Sequence, residues 1–355
     1  LSIKSTTILG VIKASLCLSP KVENVKINMA NNSAVLFDRC YKPVFIKPDV
    51  TNIGDGGDDY GIVFGNSQHG RIHGGSTYGR RHAVAHGGGS DVGSVPTRDC
   101  LTIGTVLKND IASGAQSADF HGNTEASFFI DCTIYNGAAW GGKNTGYINC
   151  KIFNDILGVV VYSGEIKGGT HKLINCELST NTNPILSSRG IVDIGGNSAA
   201  LTSSTTEDAD FIVEGCTLNG SNLSASTYFA RLRIAGSTVK TNVKINGIAA
   251  HVDALAGVLL TSVGTGTASA DYIIVDGVVN FPTGAILHNS TASAYTAFPH
   301  RLQRQTGALT LSAASGTLQT VASPINYKYV YPRVPAAQAT SVGGINGNRM
   351  AIATL

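Results

Sequence analysis

Charged residues make up only 14% of this sequence and aromatics 7%, with a single tryptophan. So few bulky side chains imply a core filled mostly by small aliphatics. The net charge is +3 and the basic residues are dispersed, Arg80-Arg81 being the one adjacent pair. That leaves no electrostatic footprint for a nucleic acid. No apolar run reaches the eighteen or more residues of a membrane span, so no membrane insertion is expected. Ile8 to Leu18 has the length of a signal-peptide core, but Lys13 interrupts it and no small-residue cleavage site follows, so it reads as two strands. The seven cysteines are widely spaced, odd in number and without a CxxC pair. This speaks against a disulfide framework and against a zinc site, and marks them as buried thiols of a protein that folds in a reducing cytoplasm. No cofactor and no metal is expected. Beginning at Leu1 rather than Met, the sequence reads as part of something longer.

Proline is sparse at 10 residues while glycine reaches 42, without a collagen-like period. Many tight turns between short strands fit that balance. Apolar residues follow period two and almost nowhere 3.6, which excludes a helical bundle. One pattern recurs: Asn, Asp or Gly, then Cys or Val, a polar residue and an aliphatic. Its copies are Asn24-Val25-Lys26-Ile27, Asp131-Cys132-Thr133-Ile134, Asn149-Cys150-Lys151-Ile152, Asn175-Cys176-Glu177-Leu178, Gly215-Cys216-Thr217-Leu218 and Asn242-Val243-Lys244-Ile245. Looser copies end at Ile46, Ile72 and Ile103. A second strand precedes each, as in Val35-Leu36-Phe37, Ile62-Val63-Phe64 and Val159-Val160-Val161. Variable spacing around a constant strand describes rungs of a solenoid with loops of different length. One rung buries about four aliphatic side chains, worth roughly 6 to 12 kcal/mol, against about 1 to 2 kcal/mol of ordering for each of its residues. Rungs must therefore stack, and about ten at roughly 4.8 Å make a rod. The expected fold is all-β, a right-handed parallel β-helix over residues 1–290. The Ala-, Ser- and Thr-rich residues 291–355 read as a C-terminal β-rich cap or oligomerisation region.

The Asn/Asp-Cys-x-Ile rungs over residues 20 to 280, with Asp58-Asp59-Tyr60-Gly61-Ile62 through Arg81-His82-Ala83-Val84, resemble the pectate-lyase-like β-helices and, more closely, bacteriophage tailspikes. The resemblance covers about three quarters of the chain and is architectural. It implies a homotrimer in the virion tail, folded in the host cytoplasm, that binds and depolymerises bacterial surface polysaccharide, either capsule or O-antigen.

Outward residues of stacked rungs form columns that can be compared. Aligning Phe64, Ala85, Phe120 and Val161 as inward places His86, His121 and Tyr162 outward, with Asp119 about 7 Å from His121 along its strand. Histidines beside a carboxylate suit acid/base chemistry, or else they cap a solvent-facing column. Glu125 and Glu165 follow this strand two rungs apart, roughly 10 Å, at the upper edge of the roughly 6.5 to 9.5 Å of an inverting glycosidase. Each is equally at home as a solvated turn acid. Arg80, Arg81 and His82 start the next strand and can contact an acidic sugar, Arg by bidentate hydrogen bonds, and with a uronic acid Arg beside a neutral His would serve β-elimination, His or Tyr162 moving the proton. Trp140, in a small-residue loop, is the candidate sugar-stacking platform or else a plug beneath that loop. Gly54-Asp55-Gly56-Gly57-Asp58-Asp59 suggests a calcium loop but lacks EF-hand spacing, and a glycine-rich turn is the better reading. His69 and His73 lie about 13 Å apart, too far to share a metal. Glycosidase is favoured; a polysaccharide lyase and a non-catalytic glycan-binding adhesin remain open.

Overall fold

The computed structural model describes residues 2–252 apart from positions 5–6, 10, 30–31, 54–58, 88–94, 111–114, 185–189, 195–206, 225–226 and 236–239, and beyond them the backbone of Gly257–Val263, Tyr272–Asp276 and His300–Gln303. Every paired strand runs parallel, and the described residues contain no α-helix. Hence none of them forms a helix long and apolar enough to cross a membrane. The chain is a parallel β-helix. The greater part of 291–355 lies outside the described residues, as does most of the glycine-rich segment 54–59.

Each rung has three strands rather than the two the sequence suggested. A rung begins on sheet III with strands such as Ile62–Gly65, Val84–His86 and Ala118–Phe120. It continues on sheet I with Arg71–His73, Leu101–Ile103 and Phe128–Ile130, and closes on sheet II with Ser76–Gly79, Val106–Asn109 and Thr133–Tyr135. The repeat had merged two of these. Copies ending at Ile27, Ile134, Ile152, Leu178 and Leu218 belong to sheet II, whereas those ending at Ile46, Ile72, Ile103 and Ile245 belong to sheet I. The 14-residue strand Val161–Ile174 runs from sheet III into sheet I without a break.

The recurring Asn or Asp before Cys makes the corner between sheets I and II. Asn24, Lys47, Asp131, Asn149 and Asn175 all have positive φ there, as do Gly74, Gly104, Gly215 and Gly247. L-residues avoid this conformation by about 1–2 kcal/mol, and Asn, Asp and Gly tolerate it best. The next residue then points inward, and Cys132, Cys150, Cys176 and Cys216 stack there as buried thiols. Each bonds carbonyls of its own and the preceding rung, as Cys132 Sγ does to Ile130 O and Thr102 O at 3.3 Å. All seven cysteines are unpaired, six of them buried.

Sheets I and II alternate buried and exposed residues, as in Val106–Asn109. Sheet III differs: Ile62–Gly65, Val84–His86 and Ala118–Phe120 are buried on both faces. Its inward face carries an aromatic stack in which Phe37 lies 5.6 Å from Phe64, and Phe64 5.5 Å from His86. His86 pairs with Phe120 and is fully buried, its ring 4.6 Å from Phe129 and its Nε2 2.9 Å from Thr102 Oγ1. His171 repeats the device, with Nδ1 3.0 Å from Thr145 Oγ1. Burial pushes His86 down to about 3 and His171 down to about 4.

Two outcomes follow from this architecture. At the corner, Asn149→Val should lower stability by about 1–2 kcal/mol while Asn149→Gly stays within about 0.5, as read from denaturant midpoints. The two core imidazoles, neutral when folded, take up protons in the unfolded chain below pH 6.5. Stability is therefore fully held above that pH and falls as pH drops toward 4 and then 3, by up to roughly 1.4 kcal/mol per pH unit for each imidazole. The paired change His86→Phe with Thr102→Val removes donor and acceptor together and should roughly halve that slope in guanidinium titrations.

Candidate functional site

Among the described residues, three side chains able to ligate a metal or move a proton, His82, Asp119 and His121, converge on the buried outward face of sheet III. On its outward column Ala85 pairs with Asp119, flanked in sequence by Ala118 and Phe120, which point into the core. Two residues on, where the strand has ended, His121 brings Nε2 to 3.1 Å from Asp119 Oδ2. From the preceding rung His82 places its Nε2 3.5 Å from the same oxygen. The three side chains are 12%, 23% and 6% exposed in that order, so His121 is the face of the cluster that solvent reaches.

One imidazole of the cluster is held from behind. His82 Nδ1 lies 2.6 Å from the carbonyl of Gln116, which can only accept, so Nδ1 carries the proton and Nε2 is left with its lone pair toward Asp119. Burial lowers the pKa of His82 below its ordinary value, against the opposing pull of Asp119. Tyr60 and His82 occupy the same place on successive rungs, two residues before the strand, and their rings stack at 5.1 Å. Tyr60 also lies 6.1 Å from His121, and the Arg81 guanidinium sits over the Tyr60 ring at 5.7 Å. Beneath His121, a Cβ on Gly87 would come 3.0 Å from the His121 Cβ. Beyond it, Gly122 N donates to Glu165 Oε2 at 3.0 Å, and a Cβ on Gly122 would come within 2.5 Å of that oxygen. Glycine at these two positions gives the histidine and the glutamate their room.

Of the residues expected from sequence, Asp119, His121 and, through Gly122, Glu165 come together, with Arg81 at the edge. Tyr162 is half-buried on the same outward column, separated from Asp119 by the rung of Ala139. Three do not join them. His86 belongs to the core, because the register pairs it with Phe120, and an error of one residue moves a side chain to the opposite face. Trp140 is fully buried 5.4 Å from Phe211, not displayed for stacking. Glu125 is bound by Arg98 at 2.5 Å on a different strand pair, Thr97–Arg98 with Thr124–Glu125, so it is no free partner for Glu165. The carboxylate of Asp193, further along Tyr162's column, is likewise taken, by a buried bidentate contact with Arg231 at 2.5–2.8 Å. His82, expected with Arg80 and Arg81 as a sugar contact, joins the cluster as a neighbour of Asp119, and Tyr60 enters the site without having been a candidate. Both sit in junctions where period-two alternation does not apply; the only signals were the Arg80-Arg81-His82 triplet and the Asp59-Tyr60-Gly61 segment.

A family model described as Gp49, pectin lyase-like, matches residues 30–285. Among solved structures the chain is similar to the tailspike protein gp49 from Pseudomonas phage LKA1, at 40% identity and a TM-score of 0.79, over 84% of this chain and 51% of that one. It shares its fold with the Pseudomonas phage phi297 tailspike gp61, at 23% identity and a TM-score of 0.70, over 79% of this chain and 48% of that one. The Gp54 tailspike of Acinetobacter baumannii bacteriophage AP22, solved in complex with A. baumannii capsular saccharide, is 26% identical with a TM-score of 0.62, over 78% of this chain and 45% of that one. The chain thus spans about half the length of the structures it matches. No match was found among curated proteins.

The placement of Trp140 is directly measurable. As the single tryptophan, fully buried, it should emit at blue-shifted wavelength and ignore both iodide and added oligosaccharide. Red-shifted emission quenched by sugar would put it back on the surface as a stacking platform.

Proposed function

The chain belongs to the Gp49, pectin lyase-like family, and from that premise we propose that it is the β-helix of a phage tailspike that binds and cleaves a bacterial surface polysaccharide, by β-elimination at an acidic sugar. The single observation that carries the chemistry is the cluster of His82, Asp119 and His121 on the recessed face of sheet III, with Tyr60 and Arg81 beside it. An enzyme that eliminates needs a cation for the uronate carboxylate, a base for the proton on the adjacent carbon and an acid for the departing oxygen. It consumes no water and needs no second carboxylate. Arg81 supplies the cation. His121, the more exposed imidazole, takes the C5 proton, and the Asp119 carboxylate 3.1 Å from its Nε2 stabilises the imidazolium that forms. The C5–H electron pair forms the C4=C5 double bond as the C4–O bond breaks, and the leaving oxygen takes a proton from Tyr60. Tyr162 lines the path of the neighbouring sugar.

Glycosidic hydrolysis, favoured from sequence, relied on Glu125 with Glu165, and Glu125 is committed to Arg98. It survives as a second reading on one observation: Glu165 reaches Gly122, next to His121, which leaves Asp119 and Glu165 as the carboxylates of this site. Binding to capsule or O-antigen and a place in the virion tail belong to the same proposal, supported by the tailspike relatives; assembly as a homotrimer enters it as what the family resemblance implies.

Incubation with a panel of purified capsular and O-antigen polysaccharides separates these readings. We expect new reducing ends together with the ultraviolet absorbance of an unsaturated uronate. Reducing ends without that absorbance would transfer the assignment to hydrolysis, and neither signal on a polysaccharide that the protein binds would make it an adhesin. His121→Ala and Asp119→Asn should cost about 10²-fold or more in kcat with folding intact, while Glu125→Gln retains full activity.

A further inference from the structure

The contacts around Asp119 Oδ2 do not close as hydrogen bonds. With His82 Nδ1 protonated toward Gln116 O, the His82 Nε2 lone pair faces a carboxylate oxygen 3.5 Å away. Two acceptors point at each other with no proton between them. His121 Nε2 is 3.1 Å from the same oxygen but off hydrogen-bond alignment, so this buried nitrogen has no hydrogen-bond partner among the described residues. The three ligand-capable atoms all lie within 4.8 Å of one another. A tetrahedral ion with bonds of about 2.0–2.1 Å separates its ligands by about 3.3 Å, and the two measured separations bracket that edge length.

We propose that His82, Asp119 and His121 form a three-ligand site for a borderline divalent cation of the Zn²⁺ class. Two imidazole nitrogens and one carboxylate oxygen select zinc over calcium or magnesium, which require oxygen ligands in larger number. The His82 Nδ1 to Gln116 carbonyl contact is the outer-shell bond that fixes a ligating imidazole's tautomer and ring plane. The fourth position opens on the His121 side, the most exposed of the three ligands. Two cations flank the cluster: the Arg81 guanidinium lies over the Tyr60 ring, and the Lys167 side chain packs against Gly122, its Cε 2.9 Å from where a Cβ on that glycine would sit. Glu165, one residue beyond His121 through Gly122 N, adds negative charge near the open side. An ion seated here takes up the imidazole lone pair used in elimination, so loading suppresses the reaction and chelation restores it. That regulatory consequence rests on the elimination reading; the binding itself does not.

The test is calorimetric titration of the full chain, stripped with a chelator, with Zn²⁺ in the absence of polysaccharide, and Co²⁺ as a visible-absorption probe of four-coordination. The expected result is one saturable equivalent per chain and an intense Co²⁺ band. Both should weaken at least about 10-fold in Asp119→Asn and in His121→Ala, while Glu125→Gln is unchanged. No saturable binding, or equal binding in those two variants with their circular dichroism intact, overturns the site. Either failure leaves the elimination reading standing, since that is scored on polysaccharide products. Conversely, an Asp119→Asn protein that loses Zn²⁺ but keeps full activity would remove the catalytic reading and support the metal site.

Discussion

A two-residue corner sets the geometry of every rung. Between sheets I and II the chain turns through one residue of positive φ and one inward residue, from Asn24-Val25 through Asp131-Cys132 to Gly247-Ile248. The first residue's N–H bonds the strand end of the next rung, as Asn24 N does to Ile46 O at 2.9 Å and Asp131 N to Ile148 O at 3.0 Å. Only a left-handed residue can reverse the chain in so little length while keeping that bond, and its conformational cost is offset because the stacked rungs over-determine it. Once the corner is fixed, the registers of sheets I and II follow. In the rungs of Cys132, Cys150, Cys176 and Cys216 a buried thiol then fills the inside of the bend.

From that register the alternation on sheet III decides which residues do chemistry. Phe64, His86 and Phe120 are successive inward residues, and between them Val63, Ala85 and Asp119 are successive outward ones. The same imidazole chemistry has opposite consequences on the two faces. Inside, His86 is a neutral aromatic plate bonded to Thr102, costing stability in acid. Outside, His82 and His121 both bring Nε2 to one carboxylate oxygen, at 3.5 and 3.1 Å. Asp193, further along the same column, is accommodated by the Arg231 guanidinium, whereas the Asp119 carboxylate faces two imidazole nitrogens.

What the sequence pattern reveals depends on whether a feature is repeated. The corner is written nine times over as Asn, Asp, Gly or Lys at a fixed distance before an inward aliphatic, so the solenoid and the cysteine ladder could be read directly. Sheets I and II could not be separated, because both place an aliphatic after a polar residue and the corner between them is too short to interrupt the alternation. His86 shows the limit more sharply: an alignment that skipped from Phe64 to Ala85 to Phe120 crossed the sheet by one residue. Asp119 and His121 were legible because they lie on or just after a strand. The placement of Tyr60 and His82 beside them was not, since their column is set by where a junction re-enters sheet III, and no period in the sequence records that.

The same geometry explains why the site lies on sheet III. Between sheets I and II every junction is two residues long, and a longer one would lose the bond between rungs. Length can therefore vary only at the two junctions that begin and end sheet III. They do vary: two residues separate Tyr135 from Ala138 but ten separate Ser179 from Gly190, and fourteen separate His86 from Leu101 except for the short strand Thr97–Arg98. Chain added at either end of sheet III has only its outward face to fold over. On Ile62–Gly65, Val84–His86 and Ala118–Phe120 that face is buried, where the outward residues of Val106–Asn109 on sheet II are exposed. A recess built by variable loops over an invariant strand column offers fixed backbone for the reacting groups and free sequence for the sugar contacts. A solenoid whose other corner cannot lengthen has nowhere else to place such a recess.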